Sequence, residues 1–402
     1  MKILFFLLLN TYLFALSYAT AYPWDIKTLE WAKKFDIAEV GPLDELDGVK
    51  LDGFKKKVAY EWMAGFYKNS TSSFNRWVYL HKNSLTLNPF GPHIMGEMDF
   101  YYDMCNPALQ EKRADYLSSR IKELGLDGLF FDWANEEFLK EPQFKPIYGY
   151  FKKLHPNRRY QDCLREFLKR MKQKDILIVT NQSFRNPQLL DYTDYDMSES
   201  YITTEIKIER ETIIDGKPYP YIPATLYYPI DENNRSIMPT YSYLRYLDYL
   251  KSSYAVKNII YLNYAAPKLV WTIVGYRTKP PKDAIHYGYA FAKLFDAIAY
   301  TQVPFNRELE KDDIYFTDMG KPVSKIKKID GGFVRYFEKG IVAVHEASPF
   351  TLELKRDVYD IKEGRWLKKG KVVINPAYDN IMKEYIPVGR VFLYNKPKRG
   401  GR

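Results

Sequence analysis

From about residue 35 to residue 302, short apolar or β-branched runs alternate with amphipathic stretches. Eight runs have the length of strands: FDIAEVG (35–41), KVAYEWMAG (57–65), DFYYDM (99–104), GLFFDW (128–133), ILIVTN (176–181), YDMSES (195–200), NIIYLNY (258–264) and AIAYTQ (297–302). The clearest helix is PALQEKRADYLSSRIKELG, where Ala114, Leu117, Ile121 and Leu124 recur at helical spacing and Gly125 supplies the stop. It runs directly into GLFFDW, and CLREFLKRMKQK runs in the same way into ILIVTN. Strands alternating with helices form parallel sheets. Eight of them predict an α/β fold of the closed (β/α)8 or TIM-barrel type, whose functional groups gather at the C-terminal ends of the strands.

Two connections, 67–98 and 201–257, exceed ordinary barrel loops, and connections of that length are commonly functional or separately folded. The second contains IKIERETIIDGKPYPYI, a hairpin pattern turning at Asp215 and Gly216. Leaving the end of the sixth strand, it is expected to wall the active face. Beyond about residue 310 the pattern changes to short strands punctuated by Lys339-Gly340 and Glu363-Gly364, which predicts a C-terminal antiparallel β-sandwich. At the other end, Lys2 precedes a short apolar run that closes in small residues, the pattern of a secretory signal peptide cleaved after Ala19 or Ala21. The run is short for a spanning helix, and Asn10 and Thr11 interrupt it; an uncleaved anchor is the alternative. The expected organisation is a signal at 1–21, a (β/α)8 barrel at 22–305, and a sandwich with a basic tail at 306–402. The expected location is secreted or periplasmic, with no stable membrane insertion after cleavage.

Composition narrows the functional classes. At 402 residues, 46% hydrophobic and 17% aromatic, the chain buries a large core. Its formal charge of +10 is spread among acidic residues, apart from the tail NKPKRGGR, and no nucleic-acid motif accompanies it. A solvated surface accounts for most of that charge, with attraction to an acidic polysaccharide or a membrane surface as the alternative. Cys105 and Cys163 are the two cysteines, so the chain is no disulfide scaffold, and no Cys/His spacing resembles a zinc site. Neither metal nor organic cofactor is expected.

Strand-end groups carry the candidate chemistry. Asp132 ends the fourth run, Asn181 the fifth, and Glu199 lies near the end of the sixth; Glu61 and Asp103 occupy similar places on the second and third. Two carboxylates facing each other across a barrel mouth are what glycosidic cleavage needs, one to attack or steady the sugar carbon and one to protonate the leaving oxygen. Trp133, Tyr101, Tyr102, Tyr201 and Tyr264 offer aromatic faces for sugar rings. The plainer alternatives are that Asp132 caps the next helix, that Glu199, Glu61 and Asp103 sit in ion pairs, that Asn181 caps a turn, and that the histidines are structural.

The ordered segments DMCNPALQEKRADYLSSRIKELGLDGLFFDW, ILIVTNQS and YDMSESY resemble the extracellular barrels related to endo-α-1,4-polygalactosaminidases, glycoside hydrolase family 114, over about residues 57 to 302. The resemblance implies a glycoside hydrolase with Asp132 at the nucleophile position and Glu199 at the acid/base position. Carboxylates on the fourth and sixth strands also resemble α-galactosidase-type barrels, which act with retention. Trp133 and the Tyr-rich insertion depart from the family pattern. The expected partner is a polysaccharide or oligosaccharide, with no nucleic acid. A catalytically silent carbohydrate-binding barrel is the alternative from another class, and a surface interaction protein using the basic tail is a third.

Overall fold

A computed structural model describes residues 16–21, 25–91, 98–199, 203–214, 217–225, 238–264, 281–303, 307–345, 348–376, 378–379, 384–385 and 388–397. The chain folds as a (β/α)8 barrel followed by antiparallel sheets. The barrel strands are β1 (Tyr18–Thr20), β2 (Ile37–Pro42), β3 (Lys57–Trp62), β4 (Gly128–Asp132), β5 (Leu177–Asn181), β6 (Tyr195–Glu199), β7 (Asn258–Tyr264) and β8 (Ile298–Gln302). They lie in sequential order in one sheet, and the pairings from β2 through β6 are parallel.

The membership of this sheet differs from expectation at one strand. The run at 99–104 contributes a two-residue strand, Phe100–Tyr101, which pairs antiparallel with Gly65–Phe66 outside the barrel. The missing member is β1, which lies inside the segment read as a cleaved signal. Its pattern of Tyr and small residues is too short to stand out as a strand, yet Tyr18, Ala19 and Ala21 are fully buried. With one strand lost and one gained upstream, Asp132, Asn181 and Glu199 keep their places on the fourth, fifth and sixth strands.

Local chemistry explains how β4 is set. The helix Pro107–Glu123 begins with Asn106, whose side chain accepts from the N–H groups of Ala108 and Leu109, and it buries Ala114, Leu117 and Ile121 as one face. Gly125, at φ 61°, turns the chain out of it. Asp127 then accepts the Lys57 N–H at 2.8 Å. Gly128 is required by packing, since a Cβ there would meet the Leu177 carbonyl oxygen at 1.8 Å. The Asp127-Gly128 pair at the start of the strand is therefore a device of strand pairing. Cys105 and Cys163 form a disulfide across 58 residues of sequence, tying the start of this helix to the helix Tyr160–Lys172.

By contacts the chain divides into two compact units. One spans Ala19–Glu199 and Tyr243–Ile260; the other includes the insertion from Ser200 and everything from Tyr261 onward. In the second unit, Thr203–Ile214 and Lys217–Thr225 form the expected hairpin, with Ile214 opposite Lys217; its two turn residues, and residue 201, lie outside the described residues. The C-terminal part holds a six-stranded sheet of Lys327–Ile329, Gly332–Tyr336, Gly340–His345, Val388–Leu393, Val358–Asp360 and Arg365–Leu367, and a two-stranded sheet of Phe350–Leu354 with Gly370–Ile374. Leu352 and Ile374 of the small sheet share one apolar cluster with Ile341, Ala343 and Phe392 of the large one. Two antiparallel sheets thus share one apolar core.

Candidate active site

Strand alternation decides which side chains meet. On β3, Tyr60 and Trp62 share one face, with ring centroids 5.4 Å apart, and Tyr60 stacks on Phe130 of β4 at 5.7 Å. The same face carries Asp132 at the end of β4, Asn181 at the end of β5 and Glu199 at the end of β6. The opposite face looks to the helices: Phe131 packs on Phe167, and Glu61 pairs with Arg113 of the helix Pro107–Glu123 at 3.0 Å. Side chains one residue apart thus have opposite fates.

The Asn181 amide nitrogen joins the pair, donating to Asp132 Oδ1 at 2.9 Å and to Glu199 Oε2 at 2.8 Å. Two N–H bonds of one amide diverge by about 120°, so acceptors at such distances lie about 5 Å apart. The Asn181 carbonyl oxygen is buried without a hydrogen-bond partner. This orientation is the one chemistry allows, because the reversed amide would aim an oxygen at two carboxylates. Asp132 also accepts the Tyr60 hydroxyl on Oδ2 at 2.6 Å and the Trp133 N–H on Oδ1 at 2.8 Å. Burial raises the Asp132 pKa above the usual range, against the opposing pull of Tyr60, Asn181 and the Trp133 N–H. All of these groups lie within a single unit of the chain.

The residues that follow Asp132 and Asn181 adopt left-handed backbone. Trp133 has φ 55° and Gln182 φ 60°, conformations that cost a non-glycine residue about 1 kcal/mol or more. The turn at Trp133 directs its N–H back onto Asp132 and sets its ring against Phe138 at 5.0 Å and Trp62 at 6.1 Å. Tyr67 meets Trp62 edge-on at 6.2 Å, extending an aromatic wall beside the carboxylates.

The other expected residues are placed as follows. Glu61 is pushed to about 7 by burial, opposed by Arg113, and faces away from Asp132. The Tyr102 hydroxyl donates to Asn75, with the Arg113 guanidinium 4.2 Å from its ring, and is fully buried. Asp103 accepts the Cys105 N–H and lies 2.9 Å from His155 Nε2. None of these three joins the pair; each serves the packing of the β3 to β4 connection. Tyr264 ends β7, and Tyr201 lies outside the described residues. Asp103, Cys105 and His155 bring metal-ligand atoms within 4.8 Å of one another, but the Cys105 sulfur is spent in the disulfide and has no thiolate to offer. Tyr60 and Trp62 were the residues missed. The signal for both was present in KVAYEW, where alternation sets Tyr60 and Trp62 together and Glu61 opposite.

These features define a (β/α)8 barrel with a carboxylate pair at the ends of β4 and β6. No protein-family model matches the chain, and no curated protein sequence matches it. Among solved structures it is similar to an α-amylase from Malbranchea cinnamomea, at 10% identity and TM-score 0.52, covering 94% of this chain and 96% of that one. The maltogenic α-amylase AmyB from Thermotoga neapolitana aligns at 10% identity and TM-score 0.50 over 95% of this chain and 99% of that one. The glycoside hydrolase domain of PelA from Pseudomonas aeruginosa aligns at 14% identity and TM-score 0.44 over 73% and 96%. At such identities the likeness to the two amylases is one of fold.

Proposed function

We propose that this protein is a secreted or periplasmic glycoside hydrolase that cleaves a polysaccharide or oligosaccharide with retention of anomeric configuration. Asp132 is the nucleophile and Glu199 the general acid/base. The observation that carries this reading is the single Asn181 amide held between the two carboxylates. It supports a spacing of about 5 Å, the range of retaining enzymes, where an inverting pair stands about 6.5 to 9.5 Å apart to admit a water. The disulfide accords with an oxidising compartment, and no helix among the described residues is long and apolar enough to cross a membrane.

In the first step Asp132 attacks the anomeric carbon as the bond to the leaving oxygen breaks and Glu199 delivers its proton to that oxygen. The product is a glycosyl ester on Asp132. In the second step Glu199 takes a proton from water, which attacks the same carbon and releases Asp132 as a carboxylate. The three donors on Asp132 favour its carboxylate form against the effect of burial and fix its aim. Trp62 and Trp133 supply the faces on which a sugar ring stacks.

The experiment is a screen of the protein against neutral and amino-sugar polysaccharides for new reducing ends, with NMR of the first-formed anomer on any substrate found. Release with the substrate's own anomeric configuration supports the proposal, and inversion overturns the assigned roles. Saturable binding with no turnover on every bound polysaccharide favours the silent carbohydrate-binding reading.

A further inference from the structure

The small residues near the N-terminus have two competing explanations, and their place in the barrel sheet separates them. Ala19 and Ala21 fit the small-residue pattern of a signal-peptide cleavage site. They also lie in or directly after β1, where they are 0% exposed, as is Tyr18. The Ala21 N–H donates to the Glu39 carbonyl of β2 at 2.7 Å. Cleavage after Ala21 removes the whole strand, and cleavage after Ala19 leaves a single residue of it. A cut after Ala21 also removes that hydrogen bond, and either cut leaves the edge of β2 opposite β3 without a full strand, in a fold whose closure removes edges. Their full burial in and beside β1 accounts for small side chains without a cleavage site.

A second triplet of the required kind stands just upstream. Ala15-Leu16-Ser17 places small residues at the third and first positions before the bond to Tyr18, after the apolar run that follows Lys2. We infer that export processing cuts between Ser17 and Tyr18, so that the mature chain begins with its first barrel strand. This inference rests on the export reading above. It assigns the whole apolar run to the leader and every residue of β1 to the enzyme.

The test has an arm in cells and an arm in vitro. The full-length chain is expressed in an exporting host, and the exported protein's terminus is read by mass spectrometry; the expected terminus is Tyr18. The variant Ala15→Leu spoils the Ser17 site while leaving the Ser17/Ala19 and Ala19/Ala21 patterns untouched, and it should accumulate unprocessed precursor. Exported protein beginning at Thr20 or Tyr22, or normal processing of Ala15→Leu, overturns the inference and leaves the export reading intact. Recovery of nothing but non-exported chain beginning at Met1 overturns both. In vitro, a chain starting at Tyr18 should fold and melt cooperatively, whereas one starting at Tyr22 should lose about 10 °C in Tm or fail to fold. Equal melting of the two refutes the structural basis of the inference.

Discussion

Asn181→Leu removes both donated hydrogen bonds at once while keeping the branched outline and the number of heavy atoms. Asp132 then loses one of its three donors and Glu199 loses its share of the same amide. A hydrogen bond to a charged group contributes about 1.5 to 3 kcal/mol, and one pH unit corresponds to about 1.4 kcal/mol. The sign follows from which form the amide favours. It donates to the carboxylate, so its loss makes the Asp132 proton harder to remove, and burial already pushes in that direction. The acid limb of kcat/KM against pH should therefore move to higher pH by about one to two units. On the plateau, where Asp132 is ionised and Glu199 carries the proton it delivers, neither side chain is any longer held by the amide. We expect the resulting displacement to lower kcat/KM by about 10- to 100-fold. The assay is kcat/KM from about pH 4 to 8 on a substrate from the reducing-end screen, with Tm recorded in the same buffers. An acid limb that stays in place, with kcat/KM within about twofold of the parent, would refute the bridging role of the amide.

Three further outcomes follow from the same geometry. Asp132→Asn should lose several orders of magnitude in turnover while gaining stability: a carboxyl whose folded pKa is raised costs stability once pH passes its unfolded value, so the Tm advantage of the variant should grow from acid to neutral pH, and a Tm below the parent at pH 7 would contradict this. Glu61, Asp196 and Glu310 are each pushed by burial to about 7; their protons stabilise the fold below the ordinary carboxylate range and that contribution is lost as pH rises through about 7, so Tm should fall between about pH 5 and pH 8, and a Tm that rises over this interval would count against it. Reduction of Cys105–Cys163, or its replacement by a Cys105→Ala/Cys163→Ala pair, should cost about 4 kcal/mol in denaturant unfolding on the chain-entropy argument for a loop of 58 residues; equal midpoints with and without reductant would show that the crosslink contributes nothing.

The sequence by itself determined the barrel, because each buried parallel strand must be apolar along its length and each covering helix amphipathic, and those periodicities are local. It also determined that Asp132, Asn181 and Glu199 belong together, since polar groups ending three successive apolar strands arrive at the same rim. Tertiary structure alone decided the rest. That Tyr60 reaches Asp132 and Glu61 turns to Arg113 depends on which face of β3 meets the barrel interior, and a strand with polar groups on both faces does not declare it. That Asp103 serves His155 and the disulfide loop, with Phe100–Tyr101 outside the barrel, depends on a partner 52 residues away in sequence. That Tyr18–Thr20 is a barrel strand depends on the β2 edge beside it, because three residues carry no periodicity of their own and are recognisable only by what they pair with and what covers them.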